Sequence, residues 1–400
     1  MDNLNPSRSP FFKGGGFMDH AADLASQVDP HLTAPNPRVG CVVVCDGEIL
    51  ASGVHEKFGE PHAEVNSISS LNPGSRVKEP GFWDQCEIYI TLEPCDHFQG
   101  KKTPSCTELL LKHKPKKVIV GSLDPQFGGK NLEKLKKAGI EVVLEKNEKC
   151  EELNPFFAHF VKTKMPYVTV KMAQSLDGRV TKKIPGSGIP EPGIDYISNE
   201  ISRQKVHEMR AQYSALLTTV KTILADDPQL NCRLDNPPSL AKREMEGDFS
   251  KEDLNPPAPL YSGAVPLFQR GRNTSDPQII VLGKKSDIPP SARIFLSSPL
   301  GRGSEGEGNR KIHFFDTHDL KSVLAECAKM GIDSIMTECG PTVATELLKS
   351  DLVDEVQLFV APEIFGKGKD AFLNNAILQD FHLHEVENLQ GDVWMRFVRK

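Results

Sequence analysis

Short β-branched runs, each followed by a helix-like stretch, recur along most of this chain and constrain its fold more than any other feature. "GFMDHAADLASQ" reads as a helix. "GCVVVCDGEILASGVH" reads as a hairpin turning at Asp46–Gly47, a pair that tolerates the left-handed backbone of a two-residue turn. A helix is expected from about His62, "EIYITLEPC" is a buried strand, and "TELLLKHK", "KKVIVGSLDP", "NLEKLKKAG" and "IEVVLE" continue as helix, strand, helix and strand. Such alternation implies an α/β layered domain.

The pattern restarts with "YVTVKMAQSLDGRVT", a strand, then a helix over 199–212 and the strand "SALLTT". Later come "QIIVLGK", "DLKSVLAECAKMG", "IDSIMTECG", "TVATELLKSD", "EVQLFVAPEIF" and "VWMRFVRK". Four hundred residues fit two domains better than one core. The expected division is a disordered tail over 1–17, a first domain over 18–146, a helical linker over 147–166 and a second domain over 167–400. Pro-rich and polar residues 234–277, and Gly-rich residues 298–310, read as surface insertions.

The composition excludes several classes. No apolar run reaches the roughly 18–20 residues that span a bilayer, and the N-terminus lacks the apolar core of a secretory signal. Met18 is an alternative start. A net charge of −6 argues against a broad nucleic-acid surface. Nine cysteines, an odd number with no regular framework, fit a reducing cytoplasm, where Cys41, Cys45 and Cys86 are expected as packing residues.

"GEPHAEVNSI" and "TLEPCDHFQGKKTPSC" carry the chemistry. His62, Cys95 and Cys106 offer one imidazole and two thiolates, the three protein ligands of a catalytic zinc with one open position. Glu64, two residues after the histidine, is placed to take a proton from water activated at the metal and return it to a substrate nitrogen. Pro94 predicts a sharp turn from strand into a helix N-terminus at Cys95, where the dipole favours a thiolate.

These motifs, with "APNPRVGCVVV", "KMAQSLDGRVT", "RAQYSALLTTVKTILADDPQLNCR" and "TECGPT", resemble the bifunctional riboflavin-biosynthesis deaminase/reductase family, in its order and over nearly the whole chain after Met18. The resemblance implies a cytidine-deaminase-like α/β/α domain followed by a dihydrofolate-reductase-like α/β domain. It also implies one zinc ion per chain, NADPH, a phosphorylated pyrimidine substrate and a homo-oligomer, a dimer or larger. It makes Asn36 and His55 pyrimidine-binding residues, although a turn asparagine and a surface histidine fit the residues alone. The cysteine loop is two residues longer than the family's usual form, which leaves Lys101 or Lys102 as the substrate lysine; Lys102, beside Thr103–Pro104, is chosen.

For the second domain, backbone N–H groups from Gly340 to Thr342, at a strand–helix turn, can receive a phosphate. Arg210 and Arg233 present the planar donor fork that clamps phosphate, though surface ion pairs fit them equally. The resemblance places both at the substrate with Leu230 and Glu338. It assigns Ala173, Tyr196, Thr222, Asp226 and the loop Gly340, Pro341, Thr342, Val343, Ala344, Thr345 and Glu346 to NADPH. Ile194, Lys221, Lys284 and Cys339 depart from the family pattern. They keep open a deaminase with an inactive reductase-like domain, beside a zinc deaminase acting on RNA or free nucleobases.

Overall fold

The computed structural model describes residues 16–71, 79–97, 103–181, 196–233, 276–296, 310–373 and 378–400. The expected tail, apart from Gly16 and Phe17, and nearly all of the 234–277 insertion lie outside them, as do Lys102 and Ile194. Phe17 itself opens a helix, and its ring packs 5.3 Å from that of Tyr89. The chain divides into two compact units: residues 1–167 with 327–333, and residues 168–326 with 334–400.

The first unit runs α1 (Phe17–Ser26), α2 (Pro30–Thr33), β1 (Gly40–Cys45), β2 (Glu48–Val54), α3 (Ala63–Ser69), β3 (Cys86–Ile90), α4 (Cys106–His113), β4 (Lys117–Val120), α5 (Lys130–Lys137), β5 (Glu141–Leu144), α6 (Glu148–Glu152) and α7 (Pro155–Thr163). Asp46 and Gly47 both take positive φ, 53° and 79°, and close the β1–β2 hairpin with the handedness that matches strand twist. The sheet order is β2-β1-β3-β4-β5, antiparallel at its hairpin end and parallel from β3 to β5.

Alternation along β1 sends its side chains to two cores. Cys41 and Val43 join Ile88, Leu110 and Leu135 on one face, where α3, α4 and α5 pack. Val42 and Val44 meet Ala21 of α1 on the other. Each fully buried Leu or Ile contributes about 1.5–3 kcal/mol. Gly53 lets α3 lie directly on β2, since a Cβ there would stand 2.4 Å from the Ser67 nitrogen. That close approach sets the position of His62 and Glu64.

Two expectations need correcting here. Cys45 and Cys86 are not separate packing thiols; they face each other across β1 and β3 and form a disulfide. Residues 147–166 are not a plain linker either. Cys150 and Leu153 are buried with Met18, Ala22 and Ile119, so α6 belongs to the core of the first unit. Apolar side chains at that spacing bury themselves wherever a sheet face is open.

The second unit runs β6 (Tyr167–Ser175), β7 (Arg179–Thr181), α8 (Glu200–Arg210), β8 (Ala215–Thr219), α9 (Val220–Asp226), β9 (Gln278–Leu282), β10 (Ile312–Phe315), α10 (Leu320–Lys329), β11 (Ser334–Thr337), α11 (Pro341–Lys349), β12 (Glu355–Ala361), β13 (Lys369–Asp370), β14 (Phe381–Leu389) and β15 (Asp392–Arg399). Tyr167, the first residue of β6, and Cys327–Asp333, which span the end of α10, fall with the first unit. The large sheet has the order β10-β9-β8-β11-β6-β12-β15-β14. Strands β10, β9, β8 and β11 pair in parallel, as do β6 and β12, whereas β12, β15 and β14 are antiparallel. In sheets of this kind ligands bind beyond the carboxyl ends of the parallel strands. The loops leaving β8 and β11 end there, tied by a hydrogen bond from Thr218 Oγ1 to the Glu338 carbonyl at 2.8 Å. Among the described residues no helix is long and apolar enough to cross a membrane.

Candidate active sites

His62 is the N-cap residue of α3, with extended backbone, so its ring projects from the helix start toward the loop after β3. Its Nδ1 stands 3.3 Å from Cys95 Sγ and 3.5 Å from Cys106 Sγ. The three ligand atoms lie within 4.8 Å of one another. One nitrogen and two sulfurs at that separation match the donor set that zinc prefers. His62 Nε2 meets Thr103 Oγ1 at 3.0 Å, a partner that orients the ring from behind.

Cys95 does not stand at a helix N-terminus, contrary to the sequence reading. It lies in irregular chain, and Cys106 instead opens α4, one residue after the N-cap Ser105. Ten residues separate the cysteines, so the helix starts only at the second. The Cys95 segment is held by its backbone: Thr107 Oγ1 donates to the Pro94 and Cys95 carbonyls, and Asn131 Nδ2 donates to that of Pro94 at 2.9 Å. Mutual hydrogen bonding with Cys95, then burial and the Glu64 charge, push the Cys106 thiol well above its ordinary range. A divalent cation reverses that preference, because a coordinating thiol is deprotonated.

A cavity opens beside this cluster and is lined by Asn36, His55, His62, Glu64 and Cys95 among others. Glu64 is buried, and burial, followed by the Cys95 charge, raises its carboxyl above the usual range. A general acid–base group works best when its pKa is moved toward the working pH, and the upward shift is in that direction. His55 Nδ1 faces the Pro61 carbonyl at 3.1 Å and its Nε2 faces Asn36 Nδ2 at 3.2 Å. The carbonyl requires the proton on Nδ1, leaving Nε2 to accept from Asn36. Burial lowers the His55 pKa and keeps the ring neutral. The cavity thus gathers five of the deaminase residues selected from sequence; Cys106 lies behind them and Lys102 is outside the described residues.

In the second unit Arg210, in the last turn of α8, meets Glu338 after β11 fork to fork, with Nη2 donating to Oε2 at 2.8 Å. Its Nη1 donates to the Asn231 carbonyl at 2.9 Å. The guanidinium selected as a phosphate clamp therefore holds a carboxylate. Arg233 is exposed, and its Nε donates to Asn231 Oδ1 at 3.2 Å. Leu230 is buried with positive φ, at 50°, and its carbonyl accepts from Arg310 at 3.0 Å. Burial alone would raise Glu338, but the charge and hydrogen bonds of Arg210, with Lys171 behind them, hold it down to about 2.

The residues assigned to NADPH are more scattered. Ala173 lies on β6 opposite Phe359, Tyr196 is exposed under the Arg203 guanidinium at 4.3 Å, and Thr222 takes the Thr219 cap of α9. Asp226 ends α9 on the surface. Gly340 is the N-cap of α11 and makes no side-chain cap; Pro341 has no N–H, so Thr342 and Val343 supply the first-turn N–H groups available to an anion. A Cβ on Gly340 would meet only Lys369 Nζ, at 3.9 Å, which adds a cation to that end. A dinucleotide phosphate fits this donor set. Within the loop Pro341, Ala344 and Thr345 are buried, Val343 is half-buried, and Thr342 and Glu346 are exposed.

Sequence reasoning missed Glu93 and Asp124 in the deaminase cavity, and Lys171 and His207 beside Arg210. Glu93 accepts from the Gly129 and Asn131 N–H groups at 2.8 and 3.0 Å. Burial lifts Asp124 to about 6. Lys171 sits in the strand motif "VKMAQ", where a lysine amid apolar residues was the available signal. Burial lowers it, against the pull of Glu338.

Residues 15–122 match the family model for the cytidine and deoxycytidylate deaminase zinc-binding region, and residues 166–395 match the RibD C-terminal domain. The fold, the His/Cys/Cys cluster and the two matches therefore define a bifunctional enzyme, a deaminase with a zinc-binding region joined to a RibD-type reductase domain. The riboflavin biosynthesis protein RibD of Haemophilus influenzae is 32% identical over 402 residues, covering 96% of this chain and 97% of the relative. That of Actinobacillus pleuropneumoniae is 35% identical over 361 residues, 89% and 85% of the two chains. A crystal structure of the diaminohydroxyphosphoribosylaminopyrimidine deaminase/5-amino-6-(5-phosphoribosylamino)uracil reductase of Thermotoga maritima superposes with a TM-score of 0.72 at 30% identity, covering 96% and 98%. The chain belongs to the RibD family of bifunctional riboflavin-biosynthesis deaminase/reductases. Its activities are deamination and reduction of a small pyrimidine.

Proposed function

We propose that residues 18–146 remove the 2-amino group of 2,5-diamino-6-ribosylamino-4(3H)-pyrimidinone 5′-phosphate by hydrolysis. Residues 167–400 then reduce the ribose of the product to the ribityl chain with NADPH, and 147–166 join the two. The observation that carries this reading is His62 Nδ1 facing both Cys95 and Cys106 at the edge of a cavity that also holds the buried Glu64.

His62, Cys95 and Cys106 hold one zinc, which when bound supplies the Lewis acidity that brings water to ionise near neutrality. Glu64 takes the proton from that water and passes it to the leaving nitrogen, so water oxygen replaces nitrogen on C2 and ammonia departs. Asn36 and neutral His55, whose ring lies 5.0 Å from that of His62, orient the pyrimidine, and Lys102 binds the substrate.

NADPH supplies the hydride for the second step. The turn from Gly340 to Thr342 and Lys369 would bind its phosphates, and Val343, Ala344, Thr345 and Glu346 with Ala173, Tyr196, Thr222 and Asp226 would line the remaining cofactor path. Arg233 receives the substrate phosphate, beside Leu230. Arg210 keeps Glu338 ionised and aimed, which makes Glu338 the group that contacts the substrate. The residues that would hold substrate and cofactor would contribute chiefly by orienting the two. Lys221 is exposed and Cys339 is buried within the strand–helix loop, so neither favours an inactive reductase over a working one. The enzyme acts in the cytoplasm as a homo-oligomer; Leu383 and Val386, both exposed on β14, an edge strand of its sheet, support the latter.

The test is a paired assay on purified enzyme: ammonia release from the diamino substrate, and NADPH oxidation with the deaminated product. Both reactions are expected, the first abolished by zinc removal. Ammonia release without NADPH oxidation would reduce the second domain to a supporting role.

A further inference from the structure

One wall of the deaminase cavity comes from outside the segment that carries the zinc cluster. Phe157, in the first turns of α7, lines the same cavity as Glu64 and Phe127. It is half-buried.

The helix start is fastened to the segment that runs through Asn36, Pro37 and Val39, three residues that line the cavity. Asn154 Oδ1 accepts from the Arg38 N–H at 2.7 Å, and Asn154 Nδ2 donates to the Arg38 carbonyl at 2.8 Å. The Arg38 guanidinium donates to the Leu153 carbonyl and, at 3.4 Å, to that of Ser26. This reciprocal clip reaches both ways into the cavity. Asn36, two residues before Arg38, bonds His55, and Phe157 follows Asn154 by three residues. A flat, amino-substituted pyrimidine needs its faces covered by apolar or aromatic groups while its edge is read by polar ones.

We propose that Phe157 covers one face of the pyrimidine ring in the deaminase site, and that Asn154 and Arg38 are positioning residues that place it there. The segment joining the two domains is then part of the substrate site of the first. This rests on the deaminase reading above and adds a specificity residue to it.

The experiment measures ammonia release from the diaminopyrimidine ribosylamino-phosphate by the full chain and by Phe157→Ala, Phe157→Leu, Phe157→Tyr and Asn154→Ala, with zinc content determined for each. Phe157→Ala and Phe157→Leu are expected to raise KM roughly tenfold, with kcat within about threefold and zinc unchanged. Phe157→Tyr restores KM because it keeps the ring. Asn154→Ala raises KM in the same direction by a smaller factor, since the ring remains but its placement loosens. If Phe157→Ala fails to fold, the contrast of Phe157→Leu with Phe157→Tyr carries the same decision. Unchanged KM in the folded variants of Phe157, or a loss confined to kcat, overturns the inference and leaves the deaminase reading standing. A wild-type enzyme that releases no ammonia overturns both.

Discussion

His62 Nδ1 and Cys95 Sγ lie 3.3 Å apart although they belong to different elements, a helix start and the irregular chain beyond β3. Cys106 closes the triangle from the first residue of α4. A three-ligand site loses much of its affinity when one thiolate becomes a hydroxyl, because alcohols stay protonated and bind zinc poorly. Cys95→Ser and Cys106→Ser are therefore each expected to lower zinc per chain well below stoichiometric, read by elemental analysis after dialysis. Full zinc in either variant would strike that cysteine from the ligand set.

Glu64 is buried beside the cluster without being one of its ligands. Glu64→Gln keeps shape and hydrogen-bonding capacity but removes the exchangeable proton site. The variant should retain zinc and lose deamination by about 10²–10⁴-fold, the range that general acid–base groups supply. NADPH oxidation with the deaminated substrate should be unaffected. An active Glu64→Gln enzyme would falsify the proton-shuttle role.

Glu338 and Arg210 form a pair whose side chains are each 13% exposed. Breaking one partner of such a pair leaves an uncompensated charge and costs about 3–5 kcal/mol. Glu338→Gln should thus lower stability at neutral pH, read by denaturant unfolding. The pH dependence has a definite sign. The folded pKa is depressed, from the ordinary 4.5 to about 2, so the stabilisation is present above 4.5 and lost as pH falls through that window. Between those limits the stability gap between wild type and Glu338→Gln should narrow; a gap independent of pH there would mean that the carboxylate charge contributes nothing.

The parts of this fold that depend on short-range pattern could be read in advance. His62 and Glu64 sit two apart at one helix start, and Asp46–Gly47 makes a turn, because capping and turn chemistry are local. What escaped depends on register and on packing between distant segments. The Cys45–Cys86 pair joins residues 41 apart whose opposition follows from the alignment of β1 with β3, which no local signal carries. The strand β14, "FHLHEVENL", is buried at its two ends and mostly exposed between them. It therefore lacks the alternation that marks a half-buried strand. Lys171 reads as one polar residue in an apolar strand until β11 brings Glu338 to it. Phe157 looked like linker because the Arg38–Asn154 bonds that bring its helix to the cavity join residues 116 apart in the chain.

Asn199 caps α8, the helix that ends in Arg210. Its Oδ1 accepts from the Ser202 N–H at 2.9 Å and its Nδ2 donates to the Leu389 carbonyl at 2.6 Å. Asp392 completes the joint, accepting from the Asn199 N–H at 2.8 Å and from Ser202 Oγ at 2.6 Å. Asn199→Ala removes both side-chain bonds and should cost about 1–2 kcal/mol, lowering the melting temperature by a few degrees. Asn199→Asp keeps the acceptor but loses the donor to Leu389 and sets a second carboxylate beside Asp392, so it should recover little of the loss. The cap lies at the far end of α8 from Arg210, about 16 Å away at 1.5 Å per residue. NADPH oxidation below the transition should therefore stay within about twofold of wild type. A large loss of turnover in a folded Asn199→Ala enzyme would show instead that the joint between Asn199 and Asp392 sets the aim of Arg210 and Glu338.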